Sequence, residues 1–153
     1  MSKIKFAPRE VFEQILEYAV IPTFDLVIEM PQGGIVIVYR KIQPYANQWA
    51  LPGLRMMKPE NINDTLIRIA SQELGLKIDP EKKRFLGQFV GRFRTEHNRQ
   101  DISTAYAACS KTKEIKINQS HFSKYCVITS PSDIPARMGA MYRFYLNSFF
   151  KTE

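Results

Sequence analysis

Alternating and continuous runs of apolar residues predict four β-strands in the first two thirds of the chain. The runs at residues 24–30 and 34–40 are rich in Val and Ile, and PQGG between them is typical of a hairpin turn. Residues 84–93 and 102–109 predict two further strands around a polar loop. The pattern therefore favours an α/β protein with a substantial sheet.

Helical spacing of apolar residues predicts a helix near each end of the chain. The N-terminal stripe consists of Val11, Phe12, Ile15, Leu16 and Ala19. The C-terminal stripe, in a helix over 136–149, consists of Met138, Met141, Tyr142, Tyr145 and Phe149. We expect both stripes to pack in the core. Because the second stripe is wide, a dimer contact is its alternative role.

A central helix carries a carboxylate in an unusual place. Asn61 and Asp64 form a candidate capping box, and Gly75 can end the helix in the left-handed conformation. Its apolar stripe consists of Ile62, Leu66, Ile69 and Ala70. Glu73 projects into this stripe. An isolated buried charge is costly, so Glu73 is paired, protonated or metal-bound, unless the helix end frays and it reaches water.

Composition limits the architecture and the partners. With 153 residues and 44% hydrophobic content the chain can bury one core, so we expect a single domain over residues 1–153. It has no apolar run long enough to span a membrane and no secretion signal at its start, which favours a soluble cytoplasmic protein. Cys109 and Cys126 are expected to be reduced residues on strands.

The net charge of +7 raises the question of nucleic-acid binding. The 22 Lys and Arg residues are scattered, however, and no helix-turn-helix, RNP or zinc pattern is present. A polyphosphate ligand explains the charge equally well. We therefore expect a small-molecule partner and neither nucleic acid nor a membrane.

The spacing of charged residues around the central helix carries a family signature. Counting from Gly53, Glu60 stands at +7, Arg68 at +15, Glu73 at +20 and Gly75 at +22. With one extra residue before Glu60, this resembles the signature of the Nudix hydrolases, which ends R-E-hydrophobic-x-E-E-x-G. The resemblance implies an α/β/α sandwich with a mixed β-sheet. The chain departs from the signature by having Ile and Gln where the first two carboxylates of that run stand, at positions 69 and 72.

Within that superfamily the chain is most similar to the GDP-mannose mannosyl hydrolases, which share the insertion and the missing carboxylates. Their loop also reads P-G-x-R and their helix also ends E-L-G-L, as here at 52–55 and 73–76. Arg40 lies nine residues before Trp49 as in that family, and Asp25 sits in the matching first strand. The resemblance covers roughly residues 10 to 130.

This resemblance implies a one-metal hydrolase of nucleoside diphosphate sugars that acts as a homodimer. Glu73, the Gly53 carbonyl and Gln119 would hold one Mg²⁺, with Mn²⁺ as an alternative ion. Water would then attack the anomeric carbon, releasing GDP and sugar with inverted stereochemistry. His121 would be the general base.

The remaining site residues implied by the resemblance bind the substrate. Arg40, Arg55 and Arg68 would donate charge-assisted hydrogen bonds to phosphate oxygens, and Asp25 would accept from a sugar hydroxyl. Alternatives from the residues themselves are a turn-capping role for Asp25 and an internal partnership of Arg68 with Glu73 or the loop.

Several positions keep the assignment open. Ser120 separates Gln119 from His121, and could occupy the metal-proximal place instead. Ala105 stands where the family has a His, and His97 in the polar loop could compensate or simply be solvated. Tyr45 could contact a ligand. Two other functions therefore compete: a Nudix pyrophosphatase that attacks phosphorus, and a nucleotide-sugar binding module.

Overall fold

The computed structural model describes residues 3–151. Within them three α-helices and seven strands follow one another along the chain. The helices are α1 (Arg9–Tyr18), α2 (Ile62–Leu74) and α3 (Ala140–Lys151). The strands are β1 (Ile21–Glu29), β2 (Ile35–Arg40), β3 (Trp49–Ala50), β4 (Gly53–Arg55), β5 (Arg84–Arg92), β6 (Gln100–Cys109) and β7 (Phe122–Ile128).

The seven strands form one mixed sheet with β1 at its centre. The order is β3-β2-β1-β6-β5, with β4 also paired to β1 and β7 to β2. Strands β1 and β6 run parallel, and the other pairs are antiparallel. The predicted hairpin exists, but β1 and β2 share only the register pair Glu29↔Ile35. The earlier part of β1 pairs with β4 instead, which sets Asp25 opposite Gly53.

The core lies on both faces of the sheet. Leu26, Val27 and Ile28 follow one another on β1 and are all completely buried, although successive side chains point to opposite faces. Helices α2 and α3 both contact β1. The sheet is therefore covered on both sides, and the predicted α/β/α sandwich is confirmed.

Helix α2 forms for the local reasons that its sequence indicates. Asn61 accepts a hydrogen bond from the Asp64 amide, Asp64 accepts one from the Asn61 amide, and Gly75 ends the helix with φ of 65°. The predicted stripe needs one correction. Ile62 is 36% exposed, whereas Thr65 is fully buried, because its hydroxyl donates to the Glu60 carboxylate and the Asn61 carbonyl.

Helix α1 corrects a prediction of core packing. None of its residues is buried, and Val11 and Ile15 are 41% and 39% exposed. The helix lies at the edge of the molecule, where Phe12 packs under the Arg55 guanidinium and Glu17 accepts a hydrogen bond from His97. The apolar stripe thus predicts correctly that this segment is helical, but it does not show whether the helix packs in the core.

Helix α3 begins four residues later than predicted, because a 3₁₀ turn at Pro131–Asp133 and a bridge from Met138 to Trp49 occupy the preceding segment. Its apolar face is buried within the chain, as the core interpretation predicts. Cys109 and Cys126 are reduced thiols on β6 and β7, also as predicted. No helix in residues 3–151 is long and apolar enough to cross a membrane.

Candidate active site

A cavity of about 440 Å³ opens where β1, β4 and β6 meet the loop after β2. Its wall combines arginines, carboxylates and aromatic rings. The charged members are Asp25, Arg40, Arg55, Arg99 and Asp101. The aromatic members are Phe12, Tyr45, Phe93 and Tyr142, and His121 and Gly53 also line it. Such a wall suits a ligand with both phosphate and hydroxyl groups.

Asp25 lies on the cavity floor and is held by a buried chain of hydroxyl groups. The Ser103 Oγ donates to Asp25 Oδ2 at 2.5 Å, and the Tyr145 hydroxyl donates to Ser103 Oγ at 2.8 Å. Burial raises the pKa of Asp25 to about 7, although the Ser103 hydrogen bond and the Arg40 charge act in the opposite direction. Asp25 is thus an oriented pocket carboxyl, which supports a ligand-binding role over turn capping.

Gly53 is required by its approach to Asp25. A Cβ atom at this position would lie 2.3 Å from Asp25 Oδ1 and 2.6 Å from the Phe24 carbonyl oxygen. Since real Cβ atoms do not come so close, a side chain here would displace the carboxyl. The signature glycine therefore has a packing reason as well as any role for its carbonyl.

Arg40 and Arg55 both line the cavity. A β-bulge at the end of β2 precedes Arg40, whose Nε donates to the Pro44 carbonyl at 2.6 Å. The Arg55 guanidinium lies 4.1 Å from the Phe12 ring centroid. Burial and the neighbouring Arg99 and Arg68 charges lower the pKa of Arg55. Two partly buried cations facing one cavity favour an anionic ligand.

Arg68 faces the loop rather than the cavity. Its Nε donates to Glu60 Oε2 at 2.7 Å, and its NH2 donates to Glu60 Oε1 at 2.9 Å and to the Arg55 carbonyl at 2.7 Å. Burial opposes ionisation of Glu60, but the hydrogen bonds from Arg68, the Met57 amide and Thr65 outweigh it and lower the Glu60 pKa. The structure thus favours the internal role of Arg68, with Glu60 rather than Glu73 as its partner.

Glu73 is buried and paired, one of the states that its place in the helix predicts. The carboxylate is 1% exposed, and His121 Nδ1 lies 2.9 Å from its Oε1 and 3.0 Å from its Oε2. The Asn118 side-chain amide donates to Oε1 at 3.3 Å. His121 lines the cavity, and Glu73 bonds the imidazole from the side away from the cavity.

The segment before β7 places Asn118, rather than Gln119, beside the carboxylate. Gln119 and Ser120 are exposed, and the Gln119 carbonyl accepts a hydrogen bond from the Lys41 ammonium. The Asn118 Oδ1 accepts from the Ser120 amide, which holds the turn. Asn118 was missed from sequence because its role depends on a contact with a residue 45 positions earlier.

The other two positions in question lie away from this pair. His97 lies outside the wall of the cavity and bonds Glu17 at 3.1 Å, so it ties the polar loop to α1. Ala105 is fully buried in β6, opposite Asp25 in the parallel register. Tyr45 lines the cavity, and its backbone is left-handed with φ of 65°.

Several cavity residues escaped sequence analysis. Arg99 Nε donates to Asp101 Oδ1 at 2.7 Å, and both side chains line the wall. Phe12 and Tyr142 were assigned only to apolar stripes. A hint was available for Asp101, since it precedes a strand in which Ser103 and Ala105 share its face.

The hydrogen bonding of Glu73 leaves acceptor capacity for a hard cation. Within residues 3–151 no three His, Cys, Asp or Glu side chains cluster in the way a multi-carboxylate site requires. Glu73 nevertheless keeps unused acceptor capacity, because a carboxylate has about four lone-pair sites and the contacts from His121 and Asn118 use at most three. Mg²⁺ is bound in many sites by one or two carboxylates, with water and substrate phosphates as the other ligands.

Comparison with known proteins agrees with this fold. The NUDIX domain family model matches residues 20–146, and the chain belongs to this family. It is therefore a Nudix hydrolase-type domain. Among curated proteins it is 26% identical over 119 residues to the low-salt glycan biosynthesis protein Agl8 of Haloferax volcanii, an alignment that covers 74% of each chain.

Solved structures show the same fold at low identity. The MutT NUDIX hydrolase of Burkholderia pseudomallei has a TM-score of 0.72 at 19% identity, over 84% of this chain and 96% of that one. The NUDIX domain of Shewanella oneidensis NrtR, in complex with ADP ribose, has a TM-score of 0.70 at 16% identity, over 95% and 93%. A bifunctional NMN adenylyltransferase/ADP ribose pyrophosphatase from Francisella tularensis, in complex with AMP and a Mn ion, has a TM-score of 0.69 at 19% identity, over 94% of this chain and 45% of that one.

Proposed function

We propose that this protein hydrolyses a nucleoside diphosphate sugar of the GDP-mannose or GDP-glucose type by attack of water at the anomeric carbon. The observation that carries the proposal is the solitary Glu73. Glu60, the other carboxylate of the signature, is bound on both oxygens by Arg68. Activation of water for attack at phosphorus commonly uses several carboxylate-bound ions. A single carboxylate suits the simpler task of neutralising a departing diphosphate.

The pair of His121 and Glu73 supplies the base. With Nδ1 donating to the Glu73 carboxylate, the imidazole is held in the tautomer whose Nε2 carries the free lone pair. That nitrogen takes a proton from the attacking water. Arg40 and Arg55 hold the diphosphate, and Asp25 Oδ1 accepts from a sugar hydroxyl.

A divalent cation completes the account. Glu73 and the Gly53 carbonyl would hold it, together with an oxygen from Asn118 or Gln119. When bound, Mg²⁺ or Mn²⁺ supplies positive charge that stabilises the leaving diphosphate.

Substitution of the pair tests the proposal. For His121→Ala we expect turnover of GDP-mannose to fall by roughly 100- to 10,000-fold, the usual contribution of a general base, with a small change in substrate affinity.

For Glu73→Gln we expect most of the Mg²⁺-dependent turnover to be lost, whereas the stability of the fold should change far less. The turnover of both variants is measured by release of free sugar, with unfolding followed separately.

The chain contains a matched control in its second histidine. His97→Ala removes an imidazole that bonds Glu17 outside the cavity, and its turnover should equal that of the unsubstituted chain. If His97→Ala loses the activity and His121→Ala keeps it, the assigned base is wrong. Unchanged turnover in Glu73→Gln would remove the basis of the one-carboxylate mechanism.

A second candidate is a nucleotide-sugar binding module without turnover. It is favoured by the same contact, since His121 Nδ1 bonds both oxygens of the carboxylate that a cation would use. Tight binding of GDP-mannose, with no product after prolonged incubation with Mg²⁺ and Mn²⁺, would support it.

A further inference from the structure

Tyr142 is a largely buried residue whose hydroxyl makes no hydrogen bond within residues 3–151 and faces the cavity. The residue is 4% exposed. Tyrosine hydroxyls of largely buried residues normally find a hydrogen-bond partner. The side chain lines the cavity, so a ligand there can supply the partner.

Tyr145, one turn further along α3, shows the ordinary arrangement. It is completely buried, and its hydroxyl donates to the Ser103 carbonyl at 3.1 Å and to Ser103 Oγ at 2.8 Å. The two tyrosines therefore differ in one respect: the hydroxyl of Tyr145 is used by the fold, and that of Tyr142 is left for the cavity.

The surroundings of Tyr142 suit a sugar better than a phosphate. The charged groups that act on its hydroxyl are the carboxyls of Asp25 and Asp101 and the cation of Arg40. Arg99 is hydrogen-bonded to Asp101, so Asp25 is the carboxyl open to a ligand. Carboxylates repel phosphate but accept hydrogen bonds from sugar hydroxyls. The Tyr45 ring, whose centroid lies 5.1 Å from that of Tyr142, adds an apolar surface on which a sugar ring can pack.

The Tyr142 hydroxyl is available as a donor. Burial, with a further contribution from Asp25, raises the pKa of Tyr142 well above its usual range. The group therefore keeps its proton at any pH at which the protein works. Asp25 offers the complementary acceptor, since Ser103 occupies only its Oδ2.

We infer that Tyr142 is a specificity-determining residue, whose hydroxyl pairs with a hydroxyl of the sugar while Asp25 Oδ1 engages the same ring. The inference rests on the proposed function for the class of ligand. It assigns Asp25 and Tyr142 to the sugar and leaves Arg40 and Arg55 to the diphosphate.

Calorimetric titration with GDP-mannose and with GDP tests the assignment. Both probes are titrated into His121→Ala protein, so that GDP-mannose survives the measurement, with and without Tyr142→Phe. We expect Tyr142→Phe to weaken GDP-mannose binding by about tenfold, the usual effect of one lost hydrogen bond, and to leave GDP binding unchanged. Tyr125→Phe, which removes an exposed hydroxyl on β7, should change neither.

Stability separates a ligand contact from a structural role. Tyr142→Phe removes a hydroxyl without an internal partner, so its unfolding midpoint should match or exceed that of the parent. Tyr145→Phe should lower the midpoint, because it removes the donor to Ser103. A comparable drop in Tyr142→Phe would show that its hydroxyl is used by the fold, and would overturn the inference.

The outcomes also separate this inference from the proposed function. If Tyr142→Phe weakens the binding of GDP-mannose and of GDP equally, or weakens neither, the role of Tyr142 is overturned even if the protein hydrolyses GDP-mannose. Selective weakening of GDP-mannose supports the role even if no hydrolysis is ever seen. If the parent chain does not bind GDP-mannose, both the inference and the proposed class of ligand are overturned.

Discussion

Asp25 is the residue at which burial most directly alters chemistry. Its carboxyl lies on the cavity floor, and Ser103 donates a hydrogen bond to Oδ2. The other oxygen, Oδ1, lies where a side chain at position 53 would stand if that residue were not glycine. At neutral pH a pKa of about 7 makes the protonated and ionised forms comparably populated. The residue can therefore both donate to and accept from a polar ligand.

The raised pKa of Asp25 predicts a loss of stability with increasing pH. The folded state binds the proton more tightly than the unfolded chain, whose carboxyl has the ordinary value of 3.8. The contribution is therefore fully present below pH 3.8 and is lost as pH rises through about 7. The difference amounts to about 4 kcal/mol at most.

Urea unfolding from acidic to slightly alkaline pH, on the parent and on Asp25→Asn, measures this effect. The asparagine side chain has a similar shape and does not titrate, so other groups cancel in the difference between the two proteins. We expect the parent to lose stability relative to the variant as pH rises. Parallel curves would mean that folding leaves the pKa of Asp25 unchanged, which would contradict the prediction.

At the scale of elements, helix α2 and the loop before it are joined by one buried ion pair. Arg68 connects the helix to Glu60 and to the Arg55 carbonyl, and the side chain of Glu60 is completely buried. This contact sets the path of the loop that carries Gly53 and Arg55. Within the signature, Glu60 and Arg68 thus have a structural role, whereas the proposed function gives Gly53 and Glu73 a chemical one.

Breaking the ion pair from one side should destabilise the fold. Arg68→Met leaves the Glu60 carboxylate buried without a cation, and we expect a loss of about 3 kcal/mol in the free energy of unfolding. The double variant with Glu60→Gln should recover most of that loss, because no buried charge remains. Denaturant unfolding of the single and double variants checks both statements.

A phosphate-binding role for Arg68 gives a different pattern. It predicts weaker GDP binding by Arg68→Met at nearly unchanged stability, and no recovery in the double variant. Titration with GDP under conditions where every variant is folded distinguishes the two roles.

For the molecule as a whole, the sequence predicts best what is local. The caps of α2 lie within three residues of each other, and the position of Glu73 on its apolar side follows from helical spacing alone. The family signature adds the sandwich. The caps and the position of Glu73 are confirmed because short-range geometry determines them. The sandwich is confirmed because the signature identifies the family.

Contacts set by strand register could not be read from the sequence. His121 reaches Glu73 across 48 residues, and Ser103 reaches Asp25 across 78. Tyr142 is predicted as a core residue and is indeed buried, but only the structure shows that its hydroxyl lacks a partner. Helix α1 has a strong apolar stripe without a place in the core, since amphipathicity does not specify what a helix packs against.

The position of attack by water is the central claim, and isotope labelling tests it most directly. The protein is incubated with Mg²⁺ and GDP-mannose in ¹⁸O-labelled water, and the label is located by mass spectrometry. Attack at the anomeric carbon predicts label in the free sugar and none in GDP. Label in a phosphate group would contradict the account and place the attack at phosphorus.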